Sequence, residues 1–359
     1  MIPLCYINFI KNINFNFNFV LIKNFMTQRA VLVGINYKGT SNELHGCIND
    51  VYRVSDLLKT IYGFSSSNIT ILTDNESRNS TLYPSKANIV QNFKRVVQQT
   101  QPGDILVIHY SGHGMLVRAS NSTNLVLQNE DNAIIPIDVL ANNYYDASKE
   151  VLDDELWSIF SKLPSNTFMF GLFDCCHSES CVDLRYNLQI DRSKPTQFTL
   201  NQVENRPETQ AAIVALDGCT MQETSLDAAD NKGNPAGALT YAFCDYIVHH
   251  SHETVHYVDF LQAIRQTMRS NNPGAQQDPQ LDFGRLTDAS LNFSLNAKSL
   301  IKNLSDSERC TAKEILKKIY EVEVKPIPVA NKPVTPFRRL PRQYPRLQQY
   351  LMASTSAPY

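Results

Sequence analysis

From Gln28 onward the chain alternates short, uninterrupted apolar runs with stretches whose apolar residues recur at helical spacing. RAVLVGI (29–35), NITIL (68–72), DILVIHY (104–110), TFMFGLF (167–173) and AAIVAL (211–216) read as strands. DVYRVSDLLKTIYGF (50–64), SKANIVQNFKRVVQQ (85–99), DDELWSIFSKL (153–163), ALTYAFCDYIVHH (238–250) and VDFLQAIRQTMR (258–269) read as helices. A strand that is apolar at nearly every position must be covered on both faces, which a parallel sheet with crossover helices achieves. The expected class is therefore α/β, with a mostly parallel sheet between two helical layers.

Composition narrows the functional classes. A net charge of −2 over 359 residues lacks the basic excess of a nucleic-acid binder. The eight cysteines are scattered, as reduced thiols in a reducing compartment would be, so a cytoplasmic or nuclear site is expected rather than secretion. Residues 1–26 lack a basic start, and asparagines and lysines interrupt their apolar run, so they read as an irregular extension rather than a leader or membrane span. Residues 184–210 are polar and read as an exposed connecting loop. Beyond Glu323 the chain carries seven prolines, six Lys/Arg and no acid, the composition of a disordered basic tail over 326–359.

Two of the apolar strands end in reactive residues. DILVIHYSGHG delivers His113, and TFMFGLFDCCHS delivers Cys175, Cys176 and His177. In open α/β sheets, ligands bind beyond the carboxyl ends of the strands. A thiol with a pKa near ~8.5 becomes a good nucleophile only beside a base or cation. His177 is poorly placed for that task, because adjacent side chains of extended backbone point to opposite faces. His113, flanked by glycines that permit close backbone approach, is the better partner for Cys176. The N–H groups of Gly114 and Cys176 could form an oxyanion hole. A zinc site would need cysteines two to four residues apart in pairs, and a redox pair would need C-x-x-C. Cys175, Cys219 and Cys244 read as small buried hydrophobes. On pattern alone, a catalytic dyad and a core histidine with inert thiols stand level.

HYSGHG (109–114) and FDCCHS (173–178), with HGCIND (45–50), PID (136–138), DDEL (153–156), GCTMQETSLD (218–227) and GALTYAF (237–243), resemble the metacaspases, caspase-fold cysteine peptidases. The resemblance covers residues 29 to about 295. It implies a caspase-like (caspase–haemoglobinase) fold with about six central strands. It further implies Cys176 as nucleophile, His113 as general base, and cleavage after arginine or lysine, with Cys47, Asp50, Ser111 and Asp174 forming the S1 pocket. Two carboxylates suit a guanidinium through charge-assisted bonds; taken alone, Asp50 also reads as a helix N-terminal carboxylate. Calcium as activator is implied on Asp131, Asp153, Asp154 and Asp183, hard oxygen donors of the right kind, although Asp153 and Asp154 also read as capping residues of the following helix.

The implied layout is an N-terminal extension (1–26) and a peptidase domain (27–295), followed by a helical segment (296–325) and the tail. The domain divides into a large-subunit-like part (27–183), a linker (184–210) and a small-subunit-like part (211–295). The type I-like chain would lack a long prodomain and act as a monomer on protein substrates with a basic P1 residue, with no nucleic-acid or membrane partner. Arg185, Arg192, Lys194 and Arg206 offer points for self-cleavage in the linker. One departure is Glu179, where the family usually has glycine; it supports the alternative of a weakly active or non-catalytic caspase-fold scaffold.

Overall fold

The computed structural model describes residues 26–118, 130–143, 145–175, 181–190, 198–203, 206–218, 227–229, 233–250, 255–271, 278–286, 292–293 and 323–327. The strands in chain order are β1 (Gln28–Gly34), β2 (Ile69–Thr73), β3 (Ile105–Ser111), β4 (Gly114–Arg118), β5 (Glu130–Ile134), β6 (Val151–Leu152), β7 (Phe168–Asp174) and β8 (Tyr186–Ile190). They continue with β9 (Phe198–Val203), β10 (Ala212–Asp217), β11 (Asp227–Ala229), β12 (Pro235–Gly237), β13 (Val255–His256), β14 (Gln280–Phe283), β15 (Asn292–Phe293) and β16 (Glu323–Ile327). The helices are α1 (Cys47–Thr60), α2 (Lys86–Gln99), α3 (Asp153–Phe160), α4 (Ala238–His250) and α5 (Tyr257–Asn271).

Among the described residues the central sheet has nine strands, in the order β16-β9-β8-β14-β10-β7-β3-β1-β2. The five from β10 to β2 are mutually parallel, and β14 closes this core antiparallel to β10. These six match the expected core. Because side chains alternate along a strand, each strand feeds two cores. Ala30 and Leu32 of β1 pack with α1, α4 and α5 on one face, while Val31 and Val33 pack with α2 and α3 on the other. α1 turns Val51, Val54, Leu57 and Leu58 inward at helical spacing, and its exit is marked by Gly63 at φ +71°, a left-handed position that favours glycine. Ser85 caps α2 by accepting the Asn88 N–H at 3.4 Å.

The remaining strands of the sheet correct two expectations. The stretch 184–210 is not simply an exposed loop: β8 pairs antiparallel with β14 and β9 with β8, burying Tyr186, Leu188, Phe198 and Leu200. Alternation in YNLQI and FTLNQV carries this signal against a polar background. Residues 323–327 form β16, parallel to β9, so the expected boundary between a helical segment and a disordered tail at 325/326 falls inside a strand. Among the described residues no helix is long and apolar enough to cross a membrane.

Candidate active site

Chain order jumps across β1, with β2 on one side and β3 on the other. That switch point opens a crevice at the strands' carboxyl ends. β3 and β7 run parallel in register, with Ser111 opposite Asp174. Beyond the last pair the Gly112 N–H still donates to the Asp174 carbonyl at 3.3 Å. His113 follows Ser111 by two residues, as Cys176 follows Asp174. Cys176, His177 and Glu179 lie outside the described residues, as does Cys219. Cys175 and Cys244 are buried, as expected for inert packing thiols, and Cys175 Sγ lies 3.8 Å from Cys181 Sγ.

His113 is fixed at both its ring and its backbone. Its Nε2 is 2.8 Å from the Asn42 carbonyl, which can only accept, so Nε2 carries the proton and Nδ1 is the basic nitrogen. The His113 N–H donates to the Tyr37 hydroxyl (3.0 Å), and its carbonyl accepts from the Tyr110 hydroxyl (2.7 Å). The Tyr37 ring lies 4.6 Å from the imidazole. Tyr37 itself sits at φ +52°, a strained position for a bulky residue, and its hydroxyl is anchored on the Ile135 carbonyl at 2.5 Å. A Cβ at Gly112 would lie 2.7 Å from the Tyr110 hydroxyl and 3.0 Å from that of Tyr37. This glycine is therefore demanded by the tyrosine pair. Tyr37, Tyr110 and the Asn42 carbonyl were not foreseen from sequence; a backbone carbonyl carries no residue-type signal.

On the α1/α4 side of the same strand ends, Asp50 and Asp174 form a buried acidic pair. Asp50 Oδ2 accepts from the Ser111 hydroxyl (2.8 Å) and the Gly237 N–H (2.9 Å), and Asp174 Oδ2 accepts the Thr240 N–H (2.8 Å). Burial first, and the Asp174 charge second, raise the Asp50 pKa to about 8, against the pull of Ser111, Gly237 and Arg53. Arg53 Nη1 lies 3.3 Å from Asp50 Oδ1, with its guanidinium over the Tyr241 ring. A Cβ on Gly237 would fall 2.2 Å from Asp174 Oδ2 and 2.7 Å from Asp50 Oδ2, so only glycine fits there. Cys47 is buried one turn before Asp50. All four residues expected at S1 thus cluster at one end of β3, β7 and α1. Gly237 and Thr240, from the GALTYAF motif, and Arg53, from α1, join them in roles that the sequence did not reveal.

A second acidic group lies where β5 meets α3. Oxygen atoms of Asp131, Asp153 and Asp154 come within 4.8 Å of one another, and Asp131 and Asp153 are buried. Asp153 binds the Asn132 N–H (3.0 Å) and the Asp154 N–H (2.7 Å), so it ties strand to helix. Asp153 and Asp154 occupy the first turn of α3, and the capping position is Leu152. Asp183, at φ +53°, reaches the group through Arg206, whose guanidinium pairs with it. Three hard oxygen donors, two of them from the buried carboxylates of Asp131 and Asp153, fit calcium chemistry, and Asp183 stands apart from them across the Arg206 guanidinium.

A mostly parallel sheet with a histidine and a cysteine strand end side by side, next to a buried acidic pocket, defines a caspase-like domain. Residues 28–185 match the family described as "Metacaspase, peptidase C14 domain". Metacaspase-5 of Trypanosoma brucei brucei is 30% identical over 276 residues, 74% of this chain and 53% of that protein. Metacaspase-1 of Meyerozyma guilliermondii is 28% identical over 308 residues, 74% of this chain and 72% of its own. The chain thus spans about half to under three quarters of the length of these relatives. A structural-genomics protein from Geobacter sulfurreducens shares the fold, with a TM-score of 0.52, 78% of this chain and 100% of that chain covered, and 20% identity. Residues 28–185 of the chain thus make up a metacaspase-like peptidase C14 domain.

Proposed function

We propose that the protein is an endopeptidase that cuts after arginine or lysine, with Cys176 as nucleophile and His113 as base. The observation that carries this reading is the buried Asp50–Asp174 pair beside the strand ends that lead to both residues. With Nε2 committed to the Asn42 carbonyl, Nδ1 of His113 takes the thiol proton. The thiolate attacks the scissile carbonyl, and the oxyanion is held by the N–H groups of Gly114 and Cys176. The imidazolium returns its proton to the leaving amine, leaving a thioester. Water, deprotonated by His113, attacks the thioester, and the thiol leaves with the proton restored. The P1 cation is held by Asp50 and Asp174, with Ser111 and Cys47 beside them.

Calcium on Asp131, Asp153, Asp154 and Asp183 would neutralise these carboxylates and stiffen the loops beside the site. For self-processing within 184–210, Arg192 is the favoured point. The Arg185 carbonyl is engaged by the Val203 N–H at 2.8 Å, and Lys194 and Arg206 precede Pro195 and Pro207, whose rigid rings and missing N–H make poor P1′ residues. The test is hydrolysis of fluorogenic peptides with arginine or aspartate at P1, with calcium or chelator, by the protein and its Cys176→Ala variant. Turnover of the arginine peptide alone, needing calcium and Cys176, is expected. Equal turnover of the aspartate peptide would overturn the pocket, and no turnover by folded, calcium-loaded protein would favour a non-catalytic scaffold.

A further inference from the structure

Arg206 lies in the segment between β9 and β10 and turns inward onto the aspartate cluster. Its guanidinium pairs with Asp183, lies 3.8 Å from Asp154, and stacks 5.5 Å over the ring of Trp157, one turn into α3. Burial pulls the Arg206 pKa below its ordinary value, and the charges of Asp154, Asp153 and Asp131 pull the other way. Its side chain is 16% exposed. A planar fork that bridges two carboxylates while one face rests on an indole is held at three points, not left as a surface charge in water. The Arg206 carbonyl also accepts a hydrogen bond from Arg185, so the side chain and its own backbone are anchored to the same neighbourhood.

We propose that Arg206 is the resident cation of this cluster, and that calcium binds there only by displacing it. The inference rests on the calcium reading given above but goes beyond it, because it names the competitor. One guanidinium balances a single charge among Asp131, Asp153, Asp154 and Asp183, whereas calcium balances two and accepts more oxygen ligands. Exchange is therefore favourable once calcium is abundant, and the arginine sets the concentration at which that happens. A site without it would fill at lower calcium. Displacement would also free Arg206 from Trp157, which links metal binding to the position of the segment before β10.

The chain has one tryptophan, so its fluorescence reports on this site alone. The experiment titrates calcium into Cys176→Ala protein with and without Arg206→Gln, by calorimetry and by tryptophan emission. Arg206→Gln should tighten calcium binding about tenfold or more. The parent's emission should shift with the calorimetric midpoint, while Arg206→Gln should start near the calcium-saturated value and barely move. Should Arg206→Gln fail to fold, Arg206→Lys, which keeps the charge but loses the fork and the stacking, should tighten binding by a smaller factor. Equal or weaker binding by the folded variants overturns the displacement while leaving the calcium site intact. No calcium binding by parent or variant overturns the calcium reading, and the displacement with it.

Discussion

The buried carboxylate pair makes a quantitative demand on pH. Burial and the Asp174 charge hold Asp50 near a pKa of about 8, so around neutrality the empty pocket keeps a proton that an entering guanidinium must expel. The folded value lies above the ordinary carboxylate value, and the guest prefers the ionised form. Binding therefore strengthens as pH rises towards 8 and levels off above it. Affinity for an arginine side chain should fall about tenfold per pH unit well below that value, or roughly fiftyfold between pH 8 and pH 6. Calorimetry on Cys176→Ala protein with a peptide ending in arginine amide measures this. Repeating it in two buffers of different ionisation enthalpy counts the protons released, about one per peptide at pH 6 to 7. A norleucine peptide should show no such dependence. Asp174→Asn removes the Coulombic part of the shift, so the pH limb should move to lower pH while affinity falls. Affinity that is flat from pH 6 to 9, with no proton release, would refute the idea that these carboxylates share a proton and await a cation.

Other outcomes follow from the same geometry. Gly237→Ala, which drives a methyl into both carboxylates, should raise KM for arginine peptides by tenfold or more, a loss of about 1.4 kcal/mol of binding, with a smaller change in kcat; steady-state kinetics separate the two. Tyr37→Phe removes the hydroxyl that accepts the His113 N–H, and denaturant titration should register a loss of about 1–3 kcal/mol together with reduced kcat. Leu200→Ala should cost about 2–5 kcal/mol in the same assay, because β9 belongs to the folded sheet; an unchanged midpoint would return the segment to loop status.

The fold was legible wherever packing imposes a strong period. The helices α2 and α4 start and stop within a residue of where spacing puts them, and the five parallel strands are displaced by at most one residue. β8 was missed because its buried Tyr186 and Leu188 alternate with Asn187 and Gln189, and Asn187 is itself buried against Asp282 at 2.5 Å. A polar side chain satisfied inside the protein looks, in sequence, like one facing water. The acidic pocket was reached through resemblance, and the structure gives it physical content by bringing Asp50 and Asp174 together from residues far apart in the chain. What could not be read are the contributions made by shape and backbone: the Asn42 carbonyl, the missing Cβ of Gly237, and the Arg206 guanidinium turned back onto α3.

The alternation along β7 has a consequence for how such a domain can change. Phe170, Leu172 and Asp174 face one helical layer, and Phe173 and Cys175 face the other. Successive letters of one short word therefore serve different compartments, and the thiol assigned to the chemistry comes next. Point changes can rewrite the pocket's charge and leave the word's length alone. Inserting or deleting one residue would carry the acid across the sheet and send the core residues to the wrong layer. Anyone grafting a new specificity onto this scaffold has freedom of spelling in this strand, but none of length.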